Sequence, residues 1–255
     1  MVEKLKSHNM LGPETIRATF AIRLRFRFNG ELNDFLPTAK RNVHFEHFAG
    51  KTDTLKHVIE SLGVPHTEVG RVTVNGETHR LSQPLSNGDD VDVFPHLTPV
   101  LLGQNPRFVL DGHLGRLAAY LRMLGFDTWY ERSANDELLA SVSSSEHRLL
   151  LTRDVGLLKR REVAQGYCVR AHKPHGQLRE VSGRYALSPH FRPFTRCMDC
   201  NGLLNSIEKS EVADLLPPHT RETKNEFSRC TTCGKIFWRG SHHARMIGWI
   251  EDLDD

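Results

Sequence analysis

The chain has 255 residues, which is long for one ordinary domain and suits two or three small ones. Apolar residues make up 38% and charged residues 25%, so the chain can bury real cores and is not of the disordered class. Net charge is +3, no apolar stretch approaches the ~20 residues of a membrane span, and the first residues lack the apolar region of a secretory signal. We therefore expect a soluble, cytoplasmic protein with no membrane partner.

The positive charge is unevenly distributed along the chain. Residues 1–98 hold 12 basic and 12 acidic residues, whereas residues 99–189 hold 13 basic and 9 acidic ones, a net charge of +4. This modest bias favours a polyanionic partner for the middle of the chain, although it does not identify nucleic acid by itself.

Residues 15–97 are predicted to form a β-rich domain around one helix. Apolar residues and arginines alternate over 18–28, which indicates a half-buried strand, and 42–48 is predicted as a second. Apolar spacing over 55–62 predicts a helix capped by Thr52 or Asp53 and ended by Gly63. Asn75-Gly76 predicts a tight hairpin, and a last strand surrounds Val91 and Val93.

This order of elements is that of the β-grasp fold. Residues 54–63, 72–77 and 88–93 also resemble the ubiquitin-like sulfur-carrier family. Such carriers need a free C-terminal Gly-Gly, but here the last strand continues through Phe94-Pro95-His96. We therefore expect a docking or structural domain that binds another protein or the ribosome.

Residues 106–189 are predicted to alternate strands with helices. The strands are expected at 107–111, 127–131, 148–152 and 167–170, and the helices at 113–124, 135–146, 155–163 and 177–185. Apolar strands separated by helices predict a parallel sheet covered on both faces. Ligands of such sheets bind beyond the carboxyl ends of the strands.

Three acids fall at the positions where such a site is expected. Asp111 ends the first strand, Asp154 follows the third, and Asp136 starts a helix. Three gathered carboxylates can bind Mg²⁺ or Mn²⁺. The alternative, for Asp136 and Asp154, is that each only caps its helix. Asp127 is interpreted as a turn residue and left out of the site.

Basic side chains surround these acids. Arg116, Arg122 and Arg153 can bind an RNA backbone, since guanidinium groups suit phosphate oxygens. The alternative is that these residues form ordinary solvated helix faces.

Residues 190–250 are predicted to form a zinc ribbon. Two Cys-x-x-Cys pairs supply four thiolates that close a tetrahedral Zn²⁺ shell, and a glycine near each pair suits a tight turn. The four ligands are Cys197, Cys200, Cys230 and Cys233. This zinc is expected to be structural, since no ligand position stays open. Cys168 is expected to be a buried strand residue, and His242 and His243 are either an exposed polar pair or spare ligands and RNA contacts.

Residues 108–127, 135–137, 149–154 and 237–242, together with the cysteine pairs, resemble the Mut-seven C-terminal RNase family. The resemblance covers about residues 106–248, and the preceding segment resembles the ubiquitin-like domain often fused ahead of it. It implies a PIN-like α/β nuclease fold, a metal-binding acid set at Asp111, Asp136 and Asp154, and an appended zinc ribbon. A fourth acid of the PIN type is not obvious unless Glu137 supplies it.

The sequence therefore predicts a metal-dependent ribonuclease that hydrolyses RNA phosphodiester bonds at a carboxylate-bound Mg²⁺ or Mn²⁺ site. In this interpretation Thr152 orients a water molecule. The alternative is a non-catalytic RNA- or ribosome-binding adaptor.

Overall fold

A computed structural model describes residues 21–253. Residues 15–20, with which the predicted first domain begins, lie outside this range. The chain divides after His96 into two compact units. Within the described residues, no helix has the length and apolarity needed to cross a membrane.

The first unit is a five-stranded mixed sheet with one helix. Its elements are β1 (Ala21–Phe28), β2 (Phe45–Gly50), α1 (Leu55–Ser61), β3 (Val69–Val74), β4 (Glu77–His79) and β5 (Asp90–Pro95). The strand order is β2-β1-β5-β3-β4, in which β1 and β5 are parallel and the other neighbours antiparallel. This is the predicted β-grasp arrangement.

Local sequence explains the elements of this unit. The alternation in β1 places Phe26 and Phe28 in the core and the arginines in solvent. Helix α1 is capped by Thr54, whose hydroxyl accepts from the His57 N–H, so the prediction of Thr52 or Asp53 was wrong. The carboxylate of Asp53 instead accepts from the Gly50 N–H, 2.8 Å away, and closes the preceding turn.

The second unit is built on a four-stranded parallel sheet. Its strands are β6 (Arg107–Leu110), β7 (Asp127–Tyr130), β8 (Leu149–Thr152) and β9 (Gly166–Cys168), and its helices are α2 (Gly115–Met123), α3 (Asp136–Ser145), α4 (Val155–Leu158) and α5 (Pro174–Tyr185). The strand order is β7-β6-β8-β9 with every neighbouring pair parallel. The predicted α/β fold class is confirmed.

Helix α4 is shorter than the expected 155–163. It ends at Leu158, and the Val163 N–H donates to the Arg160 carbonyl in a tight turn. Val163 is fully buried. Residues 159–163 therefore form a turn that places the buried Val163 side chain ahead of β9.

A smaller antiparallel sheet follows. Its elements are β10 (Leu204–Ile207), α6 (Lys209–Val212), α7 (Pro218–Thr223), β11 (Phe227–Cys230), β12 (Ile236–Trp238) and α8 (Ser241–Glu251). Among the described residues, the buried apolar cluster beside the three strands consists of Val212, Leu216 and Phe227, with Ile207 and Ile236 packed against it. Helix α8 packs elsewhere, because Ile250 belongs to the core of the parallel sheet.

Candidate functional site

The carboxyl edge of the parallel sheet carries the first of the three predicted acids. Strand β6 connects through α2 to β7 on one side of it, whereas the adjacent strand β8 connects through α4 to β9 on the other side. The strand order therefore reverses between β6 and β8, and Asp111 follows β6 directly at this switch point. Its side chain is buried. One carboxylate oxygen accepts from the His113 N–H at 2.9 Å, and the other accepts from the Thr152 hydroxyl and from the Arg153 N–H at 3.1 Å.

Asp154 lies beside Asp111 through a shared partner. The Thr152 hydroxyl donates to Asp111 and accepts the Asp154 N–H at 2.9 Å. One carboxylate oxygen of Asp154 accepts from the N–H groups of Gly156 (2.6 Å) and Leu157 (3.3 Å) at the start of α4. Asp154 is therefore a helix cap in this structure, and its second oxygen accepts no hydrogen bond within the described chain.

Asp136 is the first residue of α3, and it does not cap that helix. The cap is Asn135, whose side-chain oxygen accepts from the Leu138 N–H at 2.9 Å. Asp136 is exposed and makes no hydrogen bond or ion pair among residues 21–253. The capping alternative thus applies to Asp154 but not to Asp136.

Close backbone packing positions the loop that leads to Asp136. A methyl group on Gly112 would lie 2.5 Å from the Arg132 carbonyl, and one on Gly115 would lie 2.6 Å from the Tyr130 hydroxyl. The Tyr130 hydroxyl also donates to the Gly112 carbonyl at 3.0 Å. The loop after β7 therefore lies against the loop that begins with Asp111. Even so, the three carboxylates do not form a compact ligand cluster in the described conformation.

The predicted phosphate-binding arginines differ in their surroundings. Arg116 is exposed on α2, and Arg153 is exposed with a guanidinium nitrogen 3.1 Å from His172 Nδ1. Arg122 is only 4% exposed. Its Nε donates to the Thr128 carbonyl (3.0 Å), and its Nη1 donates to the Met198 (3.2 Å) and Asp199 (2.7 Å) carbonyls. The prediction that Arg122 binds RNA is therefore wrong, because its side chain is buried and joins α2 to β7 and to residues 198 and 199.

The four cysteines of the two pairs lie together. All four sulfur atoms lie within 4.8 Å of one another, with 3.7 Å between Cys197 and Cys233 and 3.4 Å between Cys200 and Cys230. Tetrahedral Zn–S bonds of about 2.3 Å place sulfur atoms about 3.8 Å apart, so the cluster has the dimensions of a zinc site. None of these cysteines is in a disulfide. The cluster can therefore bind a metal such as zinc.

The pKa values of the thiols reflect their positions. Burial raises the pKa of the Cys197 thiol to about 12. Burial acts in the same direction on Cys230, but the N–H groups of Cys233 and Thr232 point at its sulfur, 3.5 and 3.4 Å away, and the pKa of Cys230 falls to about 6. Backbone donors of this kind stabilise a thiolate ligand.

We call the two turns of the cluster the first knuckle (197–202) and the second knuckle (230–234). The glycine has a different role in each. Asn201 and Gly234 occupy equivalent positions and have positive φ angles of 71° and 73°. Gly202 is required for another reason, because a methyl group there would lie 2.5 Å from Thr232 Oγ1 and 2.8 Å from Cys230 Sγ.

The first knuckle is fastened to the parallel sheet by residues that the sequence analysis missed. Asn201 donates to the Asp127 carboxylate at 2.8 Å and accepts from the Thr128 N–H at 3.0 Å. Asp127 also accepts from Arg148 at 2.8 Å. Burial alone would raise the pKa of Asp127, but these two donors outweigh it and hold that pKa below its ordinary value. Asp127 is therefore a joint between sheet and knuckle rather than a simple turn residue.

The chain thus combines a β-grasp unit with an α/β unit that carries an acid at the carboxyl edge of its sheet and a four-cysteine cluster. Residues 106–250 match the family described as Mut7-C RNAse domain, and residues 21–100 match the family described as Mut7-C ubiquitin. The first match covers more than half of the sequence, so the chain belongs to the Mut7-C RNAse domain family. The resemblance of the sequence to the Mut-seven C-terminal RNase family is confirmed.

Two solved structures are similar to part of the chain. They are the solution structure of the HVO 2177 protein of Haloferax volcanii (18% identity, TM-score 0.27, covering 31% of this chain and 88% of that chain) and the crystal structure of SAMP1 from Haloferax volcanii (15% identity, TM-score 0.24, covering 30% and 97%). Comparison with curated proteins gives no significant match.

Proposed function

We propose that the protein is a metal-dependent ribonuclease that hydrolyses RNA phosphodiester bonds at the carboxyl edge of its parallel sheet. The observation that supports this proposal most is the position of Asp111. In a chain of the Mut7-C RNAse domain family, it lies at the switch point of the sheet, buried, with Asp154 beside it through Thr152. Open parallel sheets bind their ligands at this point.

The donor set suits a hard divalent cation. Asp111, Asp136 and Asp154 offer only carboxylate oxygens, which Mg²⁺ and Mn²⁺ prefer over nitrogen or sulfur. Such an ion, when bound, would lower the pKa of a bound water and stabilise charge on the scissile phosphate. Asp136 and the free oxygen of Asp154 retain the capacity to bind it, since neither is used within the described chain.

The remaining residues have supporting roles in this proposal. The Thr152 hydroxyl donates its one proton to Asp111 and accepts from the Asp154 N–H, so we assign it the role of orienting Asp111. Arg116 and Arg153 are exposed and can bind the RNA backbone. The four cysteines would bind one structural Zn²⁺. This ion would stabilise the fold of the ribbon, because the apolar core of the ribbon is too small to do so by itself.

We further propose three functional regions: a ubiquitin-like domain over 15–97, the RNase domain over 106–189 and the zinc ribbon over 190–250. The first region would bind a protein or the ribosome, since its last strand continues into further chain and cannot present a free carboxyl end.

The test is RNA cleavage by the wild-type protein and by Asp111→Asn, with Mg²⁺ or Mn²⁺ added. Asp111→Asn should abolish cleavage. Asp214→Asn is the matched control, because Asp214 is exposed on the ribbon side and makes no hydrogen bond or ion pair in the described part of the chain. Equal rates for wild type and Asp111→Asn would refute the proposed site.

A second candidate is a non-catalytic RNA- or ribosome-binding adaptor. The observation that favours it is the separation of the acids, since Asp136 contacts neither Asp111 nor Asp154 and donors of the protein itself occupy both oxygens of Asp111. Binding of RNA by the wild-type protein with no cleavage under either metal would favour the adaptor.

A further inference from the structure

A cleft of about 120 Å³ opens between α5 and the C-terminal end of α8. It is lined by His175, Leu178 and Arg179 of α5 and by Trp249, Asp252 and Leu253. The cleft is much smaller than the roughly 300–1,000 Å³ of sites for drug-sized ligands, so it suits a single ring system.

Two aromatic rings line this cleft, those of His175 and Trp249, and the ring of Tyr120 packs against both. The ring of His175 lies 4.0 Å from that of Trp249 at an interplanar angle of 76°, and the ring of Tyr120 lies 5.1 Å from His175 and 5.7 Å from Trp249. Arg179 supplies donors and Asp252 an acceptor at the same cleft. A nucleobase needs this combination, since its face stacks on aromatic rings and its edge both donates and accepts hydrogen bonds.

The cleft is connected to the acids by exposed basic residues. The loop that follows β9 leaves the sheet at the same carboxyl edge as Asp111 and leads directly into α5. In this loop His172 contacts Arg153, and the exposed Lys173 lies between His172 and the first turn of α5. On the other side, Arg116 lies one helical turn before Tyr120 on α2.

The connecting loop is held in a fixed conformation by α5. Glu180 accepts from the backbone N–H groups of Arg170 (2.9 Å) and Ala171 (2.8 Å) and from the Tyr167 hydroxyl (2.9 Å). The Gln177 side chain donates to the Ala171 carbonyl at 3.1 Å. A loop that is already ordered binds a flexible strand at a lower entropic cost.

We propose that this cleft is a base-binding subsite for single-stranded RNA. A strand whose scissile phosphate lies at Asp111 would continue past Arg153 and Lys173 and stack one unpaired base on the exposed ring of His175, which Trp249 holds in place from the side. This inference rests on the proposed function, because the path of the RNA strand along the sheet edge starts from a scissile phosphate at Asp111. It adds that the substrate must have an unstacked base beside the cleavage point, which selects single-stranded over double-helical RNA.

The test measures binding rather than cleavage, so that its failure is distinguishable from failure of the ribonuclease proposal. The anisotropy of a fluorescein-labelled oligouridylate is followed with the full-length protein and no added divalent cation, at several salt concentrations. A strand of equal length without bases serves as the second probe. The variants are His175→Ala, which changes an exposed side chain, and His219→Ala, the matched control on the ribbon side.

His175→Ala should weaken binding of the oligouridylate at least about fivefold, the lower end of the 5- to 150-fold effect of losing a stacked base. It should leave unchanged both the affinity for the baseless strand and the slope of affinity against salt, because no phosphate contact is removed. His219→Ala should match the wild type. Equal loss on both strands, equal affinity of His175→Ala and wild type, or no binding by the wild type would each overturn the subsite.

Discussion

Replacing the buried Arg122 with leucine tests the strongest departure from the sequence-based interpretation. The substitution removes three hydrogen bonds to backbone carbonyls, one in β7 and two in the first knuckle. Bonds from a charged donor contribute about 1.5–3 kcal/mol each, and those of one side chain are not additive, so we expect a loss of about 3 kcal/mol. For a domain of this size that corresponds to a fall in Tm of about 6–12 °C.

The assay is thermal denaturation followed by circular dichroism, combined with the rate at which a chromophoric chelator removes zinc. Zinc bound at the four cysteines should be released faster, because Arg122 donates to the Met198 and Asp199 carbonyls between the ligands Cys197 and Cys200 and so holds the first knuckle in place. Arg116→Leu is the matched control on the same helix, and an exposed position should change stability by no more than about 0.5 kcal/mol.

For RNA binding we expect the reverse of the result for stability: the exposed position should matter and the buried one should not. Below its melting temperature Arg122→Leu should bind RNA as the wild type does, while Arg116→Leu should bind more weakly. An unchanged Tm for Arg122→Leu together with a lower RNA affinity would refute the structural role and restore the phosphate contact predicted from the sequence.

Three further predictions concern the knuckle and the acids. Gly202→Ala should lower zinc affinity, measured by competition with a chelator, because its methyl group would meet Cys230 Sγ at 2.8 Å. Asp154→Ala should cost about 1 kcal/mol in urea denaturation while Asp154→Asn costs almost nothing, since asparagine caps a helix as well as aspartate does. The lowered pKa of Asp127 stabilises the folded state at pH values above the ordinary carboxyl pKa of 3.8, and this stabilisation should disappear as the pH falls through the lowered pKa. Asp127→Asn should remove this pH dependence, measured as the free energy of unfolding at several pH values.

Local patterns were sufficient wherever the interaction partner was close in sequence or the chemistry was specific. The alternation of β1 predicted its buried face, and the paired Cys-x-x-Cys spacing predicted a cluster that the structure forms. Asp111 was predicted at a strand end because a short apolar run precedes it, and it follows β6 directly.

Distant partners explain what the sequence could not predict. Arg122 lies at the flank of the apolar stripe of α2, and its burial depends on carbonyls of residues 198 and 199. Asp127 gains its role from Asn201, which is 74 positions away. Sequence patterns with a period of 3.6 or 2 residues do not report such distant contacts. In a helical projection, an arginine that binds the first knuckle therefore looks the same as an arginine that binds RNA.

The return of α8 to the parallel sheet has a consequence for the order in which the chain folds during synthesis. The sheet of the first unit is complete once residue 95 has been made, so that unit can fold early. The parallel sheet of the second unit has its last strand at 166–168, but the core of this sheet includes Ile250, and the ribbon strands lie between the two in sequence. A nascent chain that has passed β9 therefore still exposes the part of this apolar core that Ile250 covers. That interval exposes the growing chain to aggregation and makes it a target for chaperones.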